Sequence, residues 1–143
     1  MTEQQLELVQ VAKDLLAERY APPVHSVAAA LRTKNGEIIT GINIDHFSGF
    51  VCAETSALSY AINQKIYDFD SIVAVRMNSE GQIAIANMCG KCRQIFHDYA
   101  SDITVITDND GGLSAKNIND ILPDSFKRQQ EKIHAIIEEV KKK

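Results

Sequence analysis

The sequence has no tryptophan, only three prolines and three cysteines, and no long apolar run. Because a membrane-spanning helix needs about 20 consecutive apolar residues, we expect no segment to cross a bilayer. The first residues lack the basic and then apolar pattern of a signal peptide, so the cytoplasm is the expected compartment. Three thiols fit that compartment, since disulfides are rare there.

An excess of positive charge is also absent. The 143 residues include 15 Lys and Arg and 19 Asp and Glu, which gives a formal net charge of −4. Nucleic-acid binding draws on clustered Lys and Arg, so this balance argues against a nucleic-acid partner. An apolar fraction of 45% and a charged fraction of 24% are ordinary for a soluble globular chain. We therefore expect one domain over residues 1–143.

Apolar periodicity predicts an α/β fold. Helical spacing of apolar residues predicts helices at 2–19, 52–62, 92–99 and about 127–143, the last as a C-terminal extension. Short β-branched or apolar runs predict strands at 26–31, 37–44, 71–76, 82–86 and 103–107. This order predicts an α/β sandwich with a mixed sheet.

Two turn signals indicate how strands connect. Asn35-Gly36, between the first two strands, predicts a β-hairpin. The run 108–112, Asp-Asn-Asp-Gly-Gly, follows the fifth strand without any helical pattern. We therefore expect the chain to fold back antiparallel at that point.

All three cysteines lie in two short segments. Cys89 and Cys92 form a Cys-x-x-Cys pair, which can share one Zn²⁺, and Cys52 is the candidate third ligand. Three protein ligands leave a fourth tetrahedral position, where a water can become a nucleophile near neutral pH. Glu54 follows Cys52 by two residues, and its carboxylate is placed to carry protons to and from that water.

The same residues have plainer interpretations. A closed structural zinc site needs a fourth protein ligand, for which His46 and His97 are the candidates. His97 follows Cys92 by five residues, which on a helix is roughly 140° round the axis and away from the metal. The cysteines could also be core residues without metal, and Glu54 a solvated carboxylate at a helix start.

The two segments resemble the zinc-dependent cytidine deaminase superfamily. The resemblance rests on Cys52-Ala53-Glu54 and on 89–94, Cys-Gly-Lys-Cys-Arg-Gln, and the run 41–49 is most similar to the blasticidin S deaminase branch. It implies a three-layer α/β/α sandwich around a mixed five-stranded sheet, with Zn²⁺ as cofactor. It also implies hydrolytic deamination of a cytosine nucleoside or nucleoside analogue, of the cytidine or blasticidin S type, by a homotetramer or homodimer.

Four further site residues follow from the resemblance. Asn43 and Asp45 stand where the family holds the sugar hydroxyls, although blasticidin S deaminases lack the acidic residue. His25 stands where cytidine deaminases place an aromatic ring against the base and blasticidin S deaminases a small polar residue. Phe126 matches an aromatic residue that reaches into a neighbouring subunit's pocket. The alternatives are a turn-forming role for Asn43 and a core position for Phe126.

The sequence departs from the family pattern near the proposed metal. Thr55 takes the place of the arginine that usually follows the catalytic glutamate, and Met88 replaces a proline. Three thiolates with Zn²⁺ carry a net charge of −1, which weakens the metal's effect on its water unless a cation or N–H donors offset it. We predict Arg93 as that cation, with an exposed helix arginine as the alternative.

Two rival functions remain at this point. The chain could be a non-catalytic zinc-stabilised binding domain, or a deaminase of another small aminated heterocycle. A fourth protein ligand at the metal favours the binding domain, while a three-ligand set facing a pocket favours an enzyme.

Overall fold

The structure is a computed structural model, and it describes residues 1–110, 112–127 and 130–143. Its helices are α1 (Glu3–Arg19), α2 (Ala53–Asn63), α3 (Gly90–Tyr99) and α4 (Gln130–Lys141). Its strands are β1 (Val27–Thr33), β2 (Ile38–Ile42), β3 (Phe69–Met77), β4 (Ile83–Ile85), β5 (Thr104–Asn109) and β6 (Gly112–Asn117). A short 3₁₀-helix, Ile118–Ile121, follows β6. In this part of the chain no helix has the length and apolar content to cross a membrane.

The strands of the described residues form one mixed sheet in the order β2-β1-β3-β5-β6, and β4 also pairs with β3. The β3–β5 pair is parallel, whereas β1 pairs antiparallel with both β2 and β3. The predicted α/β fold with a mixed sheet is confirmed.

The sheet has a sixth strand that the sequence did not predict as one. β6 pairs antiparallel with β5, so the expected reversal after β5 is present, although Gly111 in the turn lies outside the described residues. All residues of β6 are partly or fully exposed. An edge strand that buries no face carries no apolar run, which is why the sequence gives no strand signal there.

Helices cover both faces of the sheet and make three layers. Leu8 and Leu16 of α1 pack with Val73 on one face. Leu58 of α2 packs on the opposite face with Ile72, the preceding residue of β3. Since neighbouring residues of a strand point to opposite faces, β3 lies in the middle layer and contributes to both cores.

A close contact holds the start of α2 against β2. A Cβ atom on Gly41 would lie 2.4 Å from the carbonyl oxygen of Ala53 and 2.6 Å from the backbone nitrogen of Ala57. Only glycine permits this approach of strand and helix backbones. The contact sets the position of the first turn of α2, where Cys52 and Glu54 lie.

The two ends of the chain pack on the same body. Thr2 caps α1 through a capping box with Gln5. Residues 128 and 129 of the predicted C-terminal extension lie outside the described residues. Beyond them α4 buries Ile137, and the ammonium of Lys141 lies 3.3 Å from the carboxylate of Asp68, which precedes β3.

Candidate active site

Three thiols converge where α2 and α3 begin. Cys52 is the N-cap residue of α2, Cys89 is the N-cap residue of α3, and Cys92 lies in the first turn of α3. Their sulfur atoms all lie within 4.8 Å of one another, and the Cys52 and Cys89 sulfurs are 3.9 Å apart. Two sulfurs bound to one tetrahedral zinc at about 2.3 Å are separated by about 3.8 Å. This set of donors therefore fits zinc.

No fourth protein ligand joins the sulfurs within the described residues. His97 is buried, with its Nε2 atom 3.3 Å from Ser125 Oγ and its Nδ1 atom 3.5 Å from the carboxylate of Asp98. His46 is exposed and its ring contacts the hydroxyl of Ser48. A set of three protein ligands is typical of catalytic zinc sites, and four are typical of structural ones.

The three thiols differ in how readily they ionise. Loss of solvent on burial raises the pKa of Cys52 and of Cys92. Partial burial acts the same way on Cys89, but hydrogen bonds from the Cys92 backbone N–H and from the neighbouring thiols outweigh it and lower the Cys89 pKa. A metal needs thiolates, so its binding has to overcome the effect of burial at Cys52 and Cys92.

Glu54 is a buried carboxyl beside the thiols. The residue is 5% exposed, and burial raises the pKa of its carboxyl. Its negative charge in turn acts to raise the pKa of Cys52, Cys89 and Cys92, which places the carboxylate near all three sulfurs. A raised pKa favours the protonated carboxyl, so this group can donate a proton as well as accept one.

A cavity of about 200 Å³ joins Glu54 to two of the thiols. It is lined by Val27, Asn43, Phe50, Val51, Cys52, Ala53, Glu54, Ala86, Asn87 and Cys89. Sequence reasoning did not identify Phe50, Ala86 or Asn87. The available signal was their position, since each lies within three residues before a predicted ligand.

Asn43 faces this cavity with a fixed orientation. Its side-chain oxygen accepts hydrogen bonds from the backbone N–H groups of Ser26, at 2.7 Å, and Val27, at 3.0 Å. His25 Nδ1 donates to the Asn43 carbonyl oxygen at 2.8 Å, and His25 does not line the cavity. The amide oxygen of Asn43 is thus occupied, which leaves its NH₂ group to offer to a ligand.

Asp45 and Phe126 lie apart from the cavity of their own chain, whose lining includes neither. Asp45 is exposed, and its backbone N–H donates to the Val24 carbonyl at 3.2 Å. Phe126 is 67% exposed, and its carbonyl accepts a hydrogen bond from Gln94 Nε2 at 3.0 Å. The core interpretation of Phe126 is therefore wrong.

Two polar side chains adjoin the thiols in different ways. The Thr55 hydroxyl lies 3.6 Å from Cys92 Sγ. Arg93 donates from Nε to the Met88 carbonyl at 2.7 Å and from Nη1 to the Ile121 carbonyl at 2.9 Å. Arg93 thereby ties the loop before Cys89 to the 3₁₀-helix. The sequence had marked Thr55 only as a departure from a pattern, because the contact joins residues 37 positions apart.

Comparison with known proteins places the chain among deaminases. The family model for the cytidine and deoxycytidylate deaminase zinc-binding region matches residues 2–107. A blasticidin-S deaminase from Bacillus cereus is 37% identical over 134 residues, which cover 90% of this chain and 96% of the relative. A cytidine deaminase from Halalkalibacterium halodurans is 32% identical over 104 residues, which cover 70% of this chain and 76% of the relative.

Solved structures give the same result. The chain is similar to the crystal structure of a cytidine deaminase from Burkholderia pseudomallei, with a TM-score of 0.71 and 28% sequence identity. The match covers 88% of this chain and 100% of that chain.

Proposed function

The chain belongs to the cytidine and deoxycytidylate deaminase family, and from this membership we propose that it removes the exocyclic amine of a cytosine nucleoside or nucleoside analogue. It is a hydrolase with a Zn²⁺ cofactor. Water adds at the carbon that bears the amine, the carbon–nitrogen bond breaks, and the products are the uracil form and ammonia. The observation that supports this reaction best is the buried Glu54 carboxyl in one cavity with the convergent thiols.

We assign the zinc ligands as Cys52, Cys89 and Cys92. Zinc held by these thiolates would act as a Lewis acid that makes a water acidic near neutral pH. Glu54 takes a proton from the attacking water and delivers it to the ring nitrogen. It then takes the second proton from the hydroxyl that has added to the ring carbon and delivers it to the departing amine, which leaves as ammonia. The raised pKa of Glu54 suits this exchange, because it favours the protonated carboxyl that has to deliver the proton.

We assign the sugar end of the substrate to Asn43. Asn43 lines the cavity and its NH₂ group can donate to a sugar hydroxyl, and His25 contributes by holding the Asn43 backbone. Asp45 is proposed to accept from a second hydroxyl at the exposed end of β2. This part of the substrate extends towards solvent, where a second copy of the chain can add contacts.

We propose that the enzyme assembles as a homotetramer with composite sites. Large aromatic side chains are exposed on one copy: Phe47 is 97%, Phe50 57% and Phe126 67% exposed. Exposed aromatic groups of this size are typical of surfaces that bind another protein. Light scattering on the purified protein should give four times the chain mass, and the mass of a single chain would contradict the assembly.

The function is tested by ammonia release and by the ultraviolet change of cytidine, deoxycytidine and blasticidin S. We expect the zinc-loaded protein to convert at least one of them, and Glu54→Gln to keep its zinc while turnover falls by about 10²–10⁴-fold. Glu80→Gln, a change in an exposed turn, is the matched control and should leave turnover unaltered. If no ammonia came from any of the three compounds, the function would be wrong.

We also propose the cytoplasm as the compartment. All three cysteines are free thiols, and the cytoplasm is a compartment in which thiols stay reduced.

A further inference from the structure

A groove beside the site cavity contains one arginine. The groove lies between β4 and β5, which both pair with β3. β5 pairs with β3 at Ser71 and Ile72, whereas β4 pairs with β3 from Val75 onwards. Its volume is about 490 Å³. It is lined by Arg76, Ile85, Ala86, Asn87, Asp108 and Asn109. Two of these residues, Ala86 and Asn87, also line the site cavity, so the two spaces adjoin.

Arg76 lies on the site face of β3, at the mouth of the cavity. Ala74 packs with Ala53 at the start of α2, and residues two apart on a strand share a face. Arg76 is therefore on that face, about 6.6 Å further along the strand. Its partner in the sheet register is Val27, which lines the cavity and whose carbonyl binds the backbone N–H of Asn43. Arg76 thus stands at the end of the cavity assigned to the sugar.

The charge of Arg76 is available to a ligand. Arg76 is exposed, and among the ion pairs within 4.0 Å in the described residues none involves it. Asp108 lines the same groove, and its backbone is held by the Asn87 side chain, which donates to its carbonyl at 2.7 Å and accepts from its N–H at 2.9 Å. The groove wall is therefore fixed, and the guanidinium fork fits a carboxylate or phosphate.

We propose that Arg76 binds an anionic group, a carboxylate or a phosphate, carried on the sugar of the cytosine substrate. The inference rests on the proposed function. The site cavity of about 200 Å³ is smaller than the roughly 300–1,000 Å³ of common ligand pockets, so a nucleoside has to extend beyond it. The adjoining groove offers that room, and Arg76 is a cation where the extension enters it. Arg76 is thus a specificity-determining residue.

The test compares three substrates: cytidine, deoxycytidylate, and a cytidine analogue with a carboxylate at the 5′ position. We expect Arg76→Gln to raise KM about tenfold for at least one anionic compound, with kcat unchanged, because a charge-assisted hydrogen bond made to bound substrate is lost. Cytidine should change by less than about twofold. Arg76→Lys keeps the charge and should restore part of the lost affinity.

Two further variants serve as controls. Arg19→Gln removes an exposed arginine of α1 and should alter no KM. Asp108→Asn removes the negative charge of the groove, so it should lower KM for the anionic compounds, opposite in sign to Arg76→Gln. If Asp108→Asn and Arg76→Gln raised KM for the anionic compounds equally, both residues would only support the groove, and the proposal would be overturned.

The outcomes separate this inference from the function it rests on. If Arg76→Gln raises KM only for deoxycytidylate, the anion is phosphate. If it raises KM only for the 5′-carboxylate compound, the anion is a carboxylate. Two results would overturn the role of Arg76 alone while cytidine is turned over normally. The first is an unchanged KM of Arg76→Gln for both anionic compounds, and the second is that the wild type turns over neither of them. Absence of turnover for all three compounds would count against the function itself.

Discussion

At the scale of single residues, the surroundings of Cys92 differ from what the family pattern suggests. The Thr55 hydroxyl, 3.6 Å from Cys92 Sγ, stands where cytidine deaminases usually have an arginine. Arg93, which the sequence predicts as the compensating cation, donates hydrogen bonds from two guanidinium nitrogens to the carbonyls of Met88 and Ile121. We propose that Thr55 acts on the sulfur directly and that Arg93 acts through the position of the loop before Cys89.

Replacing Thr55 tests the direct contact. Thr55→Val keeps the shape of the side chain but removes the hydroxyl, so the Cys92 thiolate loses a hydrogen-bond donor. We expect zinc affinity to fall about tenfold, the lower end of the range for residues that support metal ligands. Competition with a chromogenic chelator measures the affinity.

The matched control is Thr55→Ser, which retains the hydroxyl and should bind zinc as the wild type does. Arg93→Met provides the comparison: it leaves two carbonyls without their donor and should lower the free energy of unfolding by about 1–3 kcal/mol as well as zinc affinity. Equal affinity in Thr55→Val and wild type would rule out the direct contact.

At the scale of secondary structure, the site depends on how closely α2 approaches β2. Both helices that carry thiols begin directly after a cysteine N-cap, so these cysteines lie at the positive end of a helix dipole, which favours a thiolate. Their mutual position is set by packing on the sheet. At Gly41 that packing brings a helix carbonyl to within 2.4 Å of where a Cβ would be.

Gly41→Ala should therefore displace α2. The added methyl group meets backbone atoms that cannot rotate away, so we expect a loss of about 3 kcal/mol in the free energy of unfolding, the upper part of the usual cost of overpacking. Because Cys52 and Glu54 move with α2, zinc affinity should also fall. Urea denaturation and chelator competition measure the two effects.

Gly90→Ala is the control, since a Cβ there meets nothing within 4 Å. It should leave the free energy of unfolding within about 0.5 kcal/mol of wild type. If Gly41→Ala had the same free energy of unfolding as the wild type, β2 and α2 could move apart without destabilising the fold.

At the scale of the whole molecule, burial of the Glu54 carboxyl in the site lowers the free energy of unfolding. Its pKa is higher in the folded chain than the ordinary value of 4.5, because burial disfavours the charged form. The folded state therefore binds the proton more tightly than the unfolded state. As the pH rises from 4.5 to the raised pKa of the folded state, the free energy of unfolding decreases. At pH values above that pKa the decrease is constant.

Glu54→Gln removes this loss, since glutamine does not ionise. In metal-free protein we expect the variant to be more stable than wild type at pH 7, with the difference shrinking as the pH falls towards 4. Denaturant unfolding at several pH values measures it. Glu80→Gln, at an exposed site, should show no such trend, and a difference independent of pH in Glu54→Gln would assign the effect to packing.

The sequence by itself determined the local features: the two cysteine segments, the helices that start at them, the α/β order and the family. Each of these depends on residues close together in the chain, where spacing and periodicity are informative. Even so, β6 escaped detection because an exposed edge strand has no apolar pattern. The position of Gly41 against α2 was equally invisible, since its reason lies in another element.

Only the tertiary structure decided which distant residues meet. It brought Thr55 to the sulfur of Cys92, made His25 a support for Asn43, and placed Arg76 at the mouth of the cavity. The physical reason is that helix packing and strand register bring together residues far apart in sequence. Burial then depends on all neighbours at once, so the raised pKa of Glu54 follows from the packed surroundings and not from its place in the chain.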